Sequence, residues 1–214
     1  MKKYLIIGCG HFGRRAAEKL LKKDPRSRIT VVDRDKEAIK KVSTLPVETV
    51  TGDGLAYLNQ SLSKFRPNDY IIPAVPFHLA FEFVLSKLKP FGAKRRKVPP
   101  LPQLPNPMMG KTGDLYTSIA NFICPEDCPE PPQYCTVTRR RREKPLYKIL
   151  MDLSGPFESK VIRSEQLGLG VGGFRFEVLK KLLEEIRREK SSDQLILVST
   201  ACRCHGVTSA LWFC

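Results

Sequence analysis

Along the first seventy-five residues, short apolar runs alternate with stretches in which apolar positions recur every three or four residues. Tyr4 to Ile7 is an apolar run of strand length, suited to burial on both faces. After it, Phe12, Ala16, Ala17, Leu20 and Leu21 fall on one face of a helix whose other face is basic, and Asp24-Pro25 stops that helix. Arg28 to Val32 reads as a second strand, Asp35 to Ser43 as a helix, Val47 to Val50 as a third strand, and Asp69 to Ala74 as a fourth. Strands alternating with helices predict a parallel sheet covered on both faces.

The pattern changes after residue 88. Residues 89–113 are basic and dense in proline, which excludes a helix or a central strand and predicts an extended connection, either a linker or a flap across a ligand. Beyond it, Ser118 to Ile123 reads as a strand, Pro145 to Leu153 as a helix and Lys160 to Arg163 as a strand. Leu167 to Phe174 is a glycine-rich loop, fit for close packing or for cradling a phosphate-bearing ligand, though it lacks the Lys-Ser/Thr of a P-loop. It opens onto an amphipathic helix with Phe176, Leu179, Leu182, Leu183 and Ile186 on one face, and Gln194 to Ser199 follows as a strand.

The first strand ends in Gly8-Cys9-Gly10-His11-Phe12-Gly13, a G-x-G-x-x-G leading into a helix, and Asp33 stands at the end of the next strand. In that context the motif is a dinucleotide fingerprint. Gly8 permits the tight turn, Gly10 lets the backbone approach a pyrophosphate, and Gly13 lets the helix pack on the sheet. The helix N-terminus offers its N–H groups to phosphate. Asp33 would accept from the ribose hydroxyls and repel a 2′-phosphate, which favours NAD, while Arg34 beside it leaves NADP open. The plain alternative is a glycine turn that binds nothing.

The stretch YLIIGCGHFGRRAAEKL, then VVDRDKEAI, then the TGDG after the third strand, resembles the nucleotide-binding domain of potassium-transport regulatory proteins of the Trk/KTN type. The resemblance covers residues 1–75. It implies a Rossmann fold binding NAD(H) or adenine nucleotides through Gly8, Gly10, His11, Phe12, Asp33, Arg34, Gly52 and Asp53. Past residue 75, IIPAVPFHLAFEFVL looks more like the segment after the fourth strand of NAD-dependent dehydrogenases, so the nucleotide site is carried over and the transport role is not. The fold expected is α/β, Rossmann-like and doubly wound, a mostly parallel sheet with a proline-rich, cysteine-containing second half. Its parts are a dinucleotide-binding domain at 1–88, the connection at 89–113, and an α/β portion at 114–214 continuing the same sheet.

Seven cysteines in a chain without an evident export signal read as metal or redox residues rather than a disulfide framework. Cys124, Cys128 and Cys135 begin where one predicted strand stops, and Cys202 and Cys204 begin where another stops. If both strands run parallel in the sheet, both groups emerge at its carboxyl edge, beside the glycine turn. Three of these thiols with Cys202 or Cys204 would make a four-thiolate site for zinc or an iron–sulfur cluster. Cys-Pro pairs suit a cluster loop, but the spacing matches neither the common C-x2-C zinc pattern nor a ferredoxin run. The alternatives are cysteines acting as small apolar core residues and a redox-active thiol pair. Cys9 fits as a small residue in the turn, and Cys214 as incidental.

His205 is a candidate ligand in place of a cysteine. His11 and His78 read first as structural, with phosphate contact and acid–base work as their functional alternatives. No Ser-His-Asp set, paired carboxylates or H-E-x-x-H appears, so no catalytic residue is assigned. The net charge of +15 is spread over both halves, with local runs at Lys94 to Lys97 and Arg139 to Arg142. The longest apolar stretch, Tyr70 to Leu85, is broken by Pro73, Pro76, His78 and Glu82, so no membrane span is expected. The expectation is a cytoplasmic, NAD(H)-binding oxidoreductase with a cysteine-ligated metal or iron–sulfur site. A nucleotide- or redox-sensing regulator is the alternative, with a homodimer or an acidic protein as candidate partners; nucleic-acid binding ranks last.

Overall fold

A computed structural model of the chain describes residues 2–189, 191 and 193–213; Cys214 lies outside them. The first sheet forms as its pattern dictates. β1 (Lys3–Ile7) leads through α1 (His11–Lys23) to β2 (Arg28–Asp33), and α2 (Lys36–Val42) leads to β3 (Glu48–Thr51). α3 (Gly54–Gln60), β4 (Tyr70–Pro73) and α4 (Leu79–Leu88) follow. The strands lie parallel in the order β3-β2-β1-β4, so the order reverses at β1. Alternate residues of β1 face opposite ways: Tyr4 and Ile6 pack against Ala16, Ala17 and Leu20 of α1, while Leu5 and Ile7 join α4 on the other face.

The second half is divided. β5 (Ala93–Arg96), β6 (Met108–Met109) and β7 (Leu115–Ser118) precede α5 (Leu146–Met151) and β8 (Glu158–Arg163). β9 (Glu165–Gly168) and β10 (Val171–Arg175) form a hairpin, and α6 (Phe176–Glu189), β11 (Leu195–Ala201) and β12 (His205–Phe213) complete the chain. β10 pairs antiparallel with β4, so the hairpin extends the first sheet. The remaining strands do not continue that sheet. They build a second one, β6-β7-β12-β11-β8, with β5 also on β12. Only β8 and β11 pair in parallel there.

Two local expectations are corrected. The strand read at Ser118 to Ile123 ends at Ser118, and Ile123 is 97 % exposed, so nothing buries its far end. Leu167 to Phe174 is not a loop but the middle of the β9–β10 hairpin. Gly170 takes the left-handed turn position (φ +68), and a Cβ on Gly173 would stand 2.7 Å from the Ile71 carbonyl oxygen, so glycine there is what lets β10 lie against β4.

The main core lies between the sheets. Phe81, Val84 and Leu88 of α4 and Leu179, Leu182 and Ile186 of α6 meet Ile196, Val198 and Leu211 of the second sheet. Each such side chain contributes roughly 1.5–3 kcal/mol on burial. Val98, Leu101 and Leu104 of the proline-dense segment pack with α5 on the second sheet's outer face, so this extended connection is pinned down. No helix among the described residues is long and apolar enough to cross a membrane.

Candidate nucleotide cleft and cysteine cavity

The carboxyl ends of β1, β2 and β3 frame a cleft of about 330 Å³ containing Gly8, Asp33, Arg34, Gly52, Asp53 and Glu82. Gly8 has φ +98, and a Cβ there would stand 2.3 Å from the Ala74 carbonyl oxygen. A Cβ on Gly13 would stand 2.0 Å from the Gly8 carbonyl oxygen, which is why α1 can start so close to the strand. Gly10 has open space where a Cβ would be and caps α1 without a side chain. The first-turn N–H groups therefore face outward with no intrahelical acceptor. Asp33 accepts from the backbone N–H of Cys9 and of Asp35 (2.9 Å), which fixes the carboxylate and uses about half of its accepting capacity. Arg34 pairs with Asp53, and Asp53 caps α3 by accepting from Ala56 N–H (2.6 Å), a bond that holds its carboxyl below the usual range. An open Gly10, a capless helix end and an anchored Asp33 fit a dinucleotide.

The second depression is larger, about 1170 Å³, and lies between the sheets. Cys124, Cys128, Cys135, Cys202, Cys204 and His205 all line it, as does Phe12 from the start of α1. β7 and β11 both run antiparallel to β12, so the two cysteine groups leave the second sheet at one edge. Both groups therefore line one cavity, on a different sheet from the one expected. His205 stands between two thiols, with Nε2 3.6 Å from Cys124 Sγ and Nδ1 3.9 Å from Cys202 Sγ. Arg142 donates to Cys204. Burial pushes the Cys202 thiol up to about 12, with the charge of Glu130 adding to it; burial also raises Cys124 and Cys204. Cys135, near the surface, is lowered chiefly by a hydrogen bond from the Thr138 backbone. The donor chemistry suits a soft metal, and a bound cation would offset the burial that keeps these thiols protonated. Among the described residues, however, no three Cys, His, Asp or Glu side chains stand together at metal-ligand spacing.

Residues 80–214 match the family model described as "Uncharacterized protein, C-terminal domain", and residues 4–58 match that of the TrkA-N domain. An "Uncharacterized protein" of Archaeoglobus fulgidus is 32 % identical over 223 residues, an alignment covering 97 % of this chain and 98 % of that protein. The chain belongs to this family. A solved structure from Thermoplasma acidophilum, described as a candidate methyltransferase, overlaps 61 % of each chain at 16 % identity with a TM-score of 0.33, too slight a likeness to inform fold or activity. Within this family member, the TrkA-N match covers the glycine turn and Asp33, so the Rossmann-type nucleotide-binding segment is common ground between sequence and structure.

Two acidic residues, unnoticed as site residues in the sequence, join the cysteine loop to α1. Glu126 contacts His11 Nε2 (3.0 Å) and Arg15 (2.9 Å), while Asp127 contacts Arg15 (2.7 Å) and Lys19. These are neighbours within Cys124-Pro-Glu-Asp-Cys128, so the cysteine loop is clasped to the N-terminal half of α1. From the other side, Gly170 packs against it: a Cβ there would stand 1.7 Å from the Glu126 carbonyl oxygen. Gln166 also donates to the Cys128 carbonyl (2.6 Å). Each exposed ion pair is worth about 0–1 kcal/mol alone. The available signal was charge complementarity between an acidic pair bracketed by cysteines and the basic face of α1. His78, read as structural, is buried in a polar chain described below, and Cys9 is buried with its thiol 3.2 Å from the Ala38 carbonyl oxygen.

Proposed function

We propose that this protein binds NAD(H) and is an oxidoreductase, with the adenosine end of the dinucleotide at Asp33, Arg34, Gly52 and Asp53. The pyrophosphate would lie over Gly8, Gly10, His11 and Gly13, and the nicotinamide end would pass Phe12 into the cysteine-lined cavity. The observation that carries this reading is that Phe12, in the glycine turn itself, is also part of the cavity wall. Ligands of open α/β sheets cross the carboxyl edge where the strand order reverses, and Gly8 and Val75, on the loops after β1 and β4 that flank that point, both line the cleft. A nicotinamide supplies hydride exchange; the chain supplies its binding, its orientation and a partly dry pocket beside thiols.

We assign Cys124, Cys128, Cys135 and either Cys202 or Cys204 as ligands of an iron–sulfur cluster or zinc, an assignment that requires the loop to move, since no three of the described side chains stand at ligand spacing. The reading includes a cytoplasmic location and a homodimer or acidic protein as partner. Nucleic acid stays last, because Arg95 of one basic run pairs with Glu82 and Asp114, and Arg142 of the other with Cys204. The clasp favours one second reading: a nucleotide- or redox-sensing regulator, in which the state of the cysteines is transmitted to α1.

Metal and sulfide analysis on anaerobically purified protein, followed by NADH addition with absorbance monitoring, separates these readings. Iron with sulfide and steady NADH oxidation supports the oxidoreductase. Tight NADH binding without turnover supports the regulator, and absence of NADH binding overturns both.

A further inference from the structure

A buried polar chain leaves the second sheet for His78, at the start of α4, and returns to end on the cavity wall. Asp114, just before β7, is 3 % exposed and accepts from Ser209 Oγ (2.5 Å), from Arg95 (2.7 Å) and from Thr112. Ser209 Oγ stands 2.8 Å from His78 Nδ1, and His78 Nε2 stands 2.8 Å from Thr200 Oγ1. Thr200 is half-buried and lines the cavity.

The direction of every bond follows from the carboxylate. Burial alone would raise Asp114, but bonds from Ser209 and Thr112 and the Arg95 charge outweigh it and hold the carboxyl below its usual range. An ionised carboxylate only accepts, so Ser209 donates its one proton to it. Ser209 oxygen is then free to accept from His78 Nδ1–H. Burial lowers His78 to about 3, so its imidazole is neutral and carries one proton. With that proton on Nδ1, Nε2 has none and accepts from the Thr200 hydroxyl. Thr200 has thereby committed its only proton away from the cavity, and what it offers there is lone pairs.

We infer that Thr200 is a specificity-determining contact: an acceptor-only oxygen that selects a ligand presenting an N–H or O–H group at that point of the cavity. Resting on the reading that the nicotinamide end enters the cavity, the donor is the carboxamide NH2. A ligand lacking that donor leaves the Thr200 oxygen desolvated and unpaired, a loss that sites built around hydrogen bonds turn into strong discrimination.

The test compares calorimetric affinities for NAD and for its 3-acetylpyridine analogue, a near-isostere of the same charge that replaces NH2 by CH3. The wild-type protein should prefer NAD by about 10-fold or more, Thr200→Ser should keep the preference, and Thr200→Val should reduce it to within about 2-fold. Equal affinities in the wild type, or a preference that survives Thr200→Val, overturn the inference while leaving dinucleotide binding intact. No binding of either compound overturns the underlying reading and the carboxamide assignment with it. Nitrogen-15 NMR on the wild-type protein checks the polarity without any ligand: His78 should be the neutral Nδ1–H tautomer at pH 7, and the Nε2–H tautomer would overturn the argument.

Discussion

The two depressions of this molecule are built by opposite means. The cleft at Asp33 is a product of backbone: a left-handed glycine, a close-packed Gly13, helix ends and a carboxylate fixed by two main-chain N–H groups. The cavity is a product of side chains and long loops, drawn from both sheets and held by an acidic clasp and a buried hydrogen-bonded chain. The lesson is where each is vulnerable. A single methyl group can spoil the first, whereas the second answers to charge, protonation and whatever occupies its thiols.

The largest expected effect lies on the cavity side and is read through pH. His78 stays neutral in the fold down to about 3, whereas an unfolded histidine takes up its proton near 6.5. The unfolded state therefore binds more protons between those values, so stability present above pH 6.5 drains away as pH falls towards 3. The ceiling is on the order of 5 kcal/mol. Urea unfolding at pH 7, 5 and 4 should show this decline, and His78→Gln should flatten it; a slope unchanged by that substitution would detach it from this residue.

Next comes the cleft. Gly13→Ala places a methyl group against the Gly8 carbonyl and is expected to cost about 1–3 kcal/mol, whereas Gly10→Ala enters open space and should cost under about 1 kcal/mol. At roughly 2–4 °C per kcal/mol for a chain of this size, thermal melts distinguish the two, and equal shifts would mean that the turn is not close-packed. Asp33→Ala should weaken NADH binding about 10- to 100-fold, as expected for losing hydrogen bonds to a charged group, and should also lower the melting temperature because the Cys9 and Asp35 N–H groups lose their acceptor. Fluorescence titration reads it, and an unchanged affinity would remove Asp33 from the site.

The smallest effect probes the link between the regions. Glu126→Gln removes one negative charge beside His11 and Arg15, so NADH affinity should rise about 2- to 5-fold at low salt and the gain should shrink as salt screens it. A gain of the same size at every ionic strength would point to loop packing instead of charge.

The difference between the regions also governs what could be read in advance. β1 to β4 and α1 were legible because burial pattern, caps and turns of each lie within a few residues of one another; α1 stops at Lys23, one residue before Asp24-Pro25. β12 escaped notice because His205 to Phe213 mixes apolar residues with Thr208 and Ser209, which are buried through hydrogen bonds rather than through apolar character. β9 and β10 looked like a loop because Gly173, needed for close approach to β4, and Gly170, at the left-handed turn, belong to the residue type of turns. The two cysteine groups line one cavity because β7 and β11 run the same way, but nothing local announces that a second sheet carries them. The clasp was invisible for a simpler reason: Asp127 and Arg15 are 112 residues apart.

The central claim is that a dinucleotide spans the cleft and the cavity, and the most direct measurement is a calorimetric titration of NADH, beside NADPH, into the anaerobically purified full chain. Saturable one-to-one binding of NADH, with NADPH weaker because of Asp33, is the predicted result. A flat NADH titration would contradict it and leave the glycine turn as no more than a way to pack a helix on a strand.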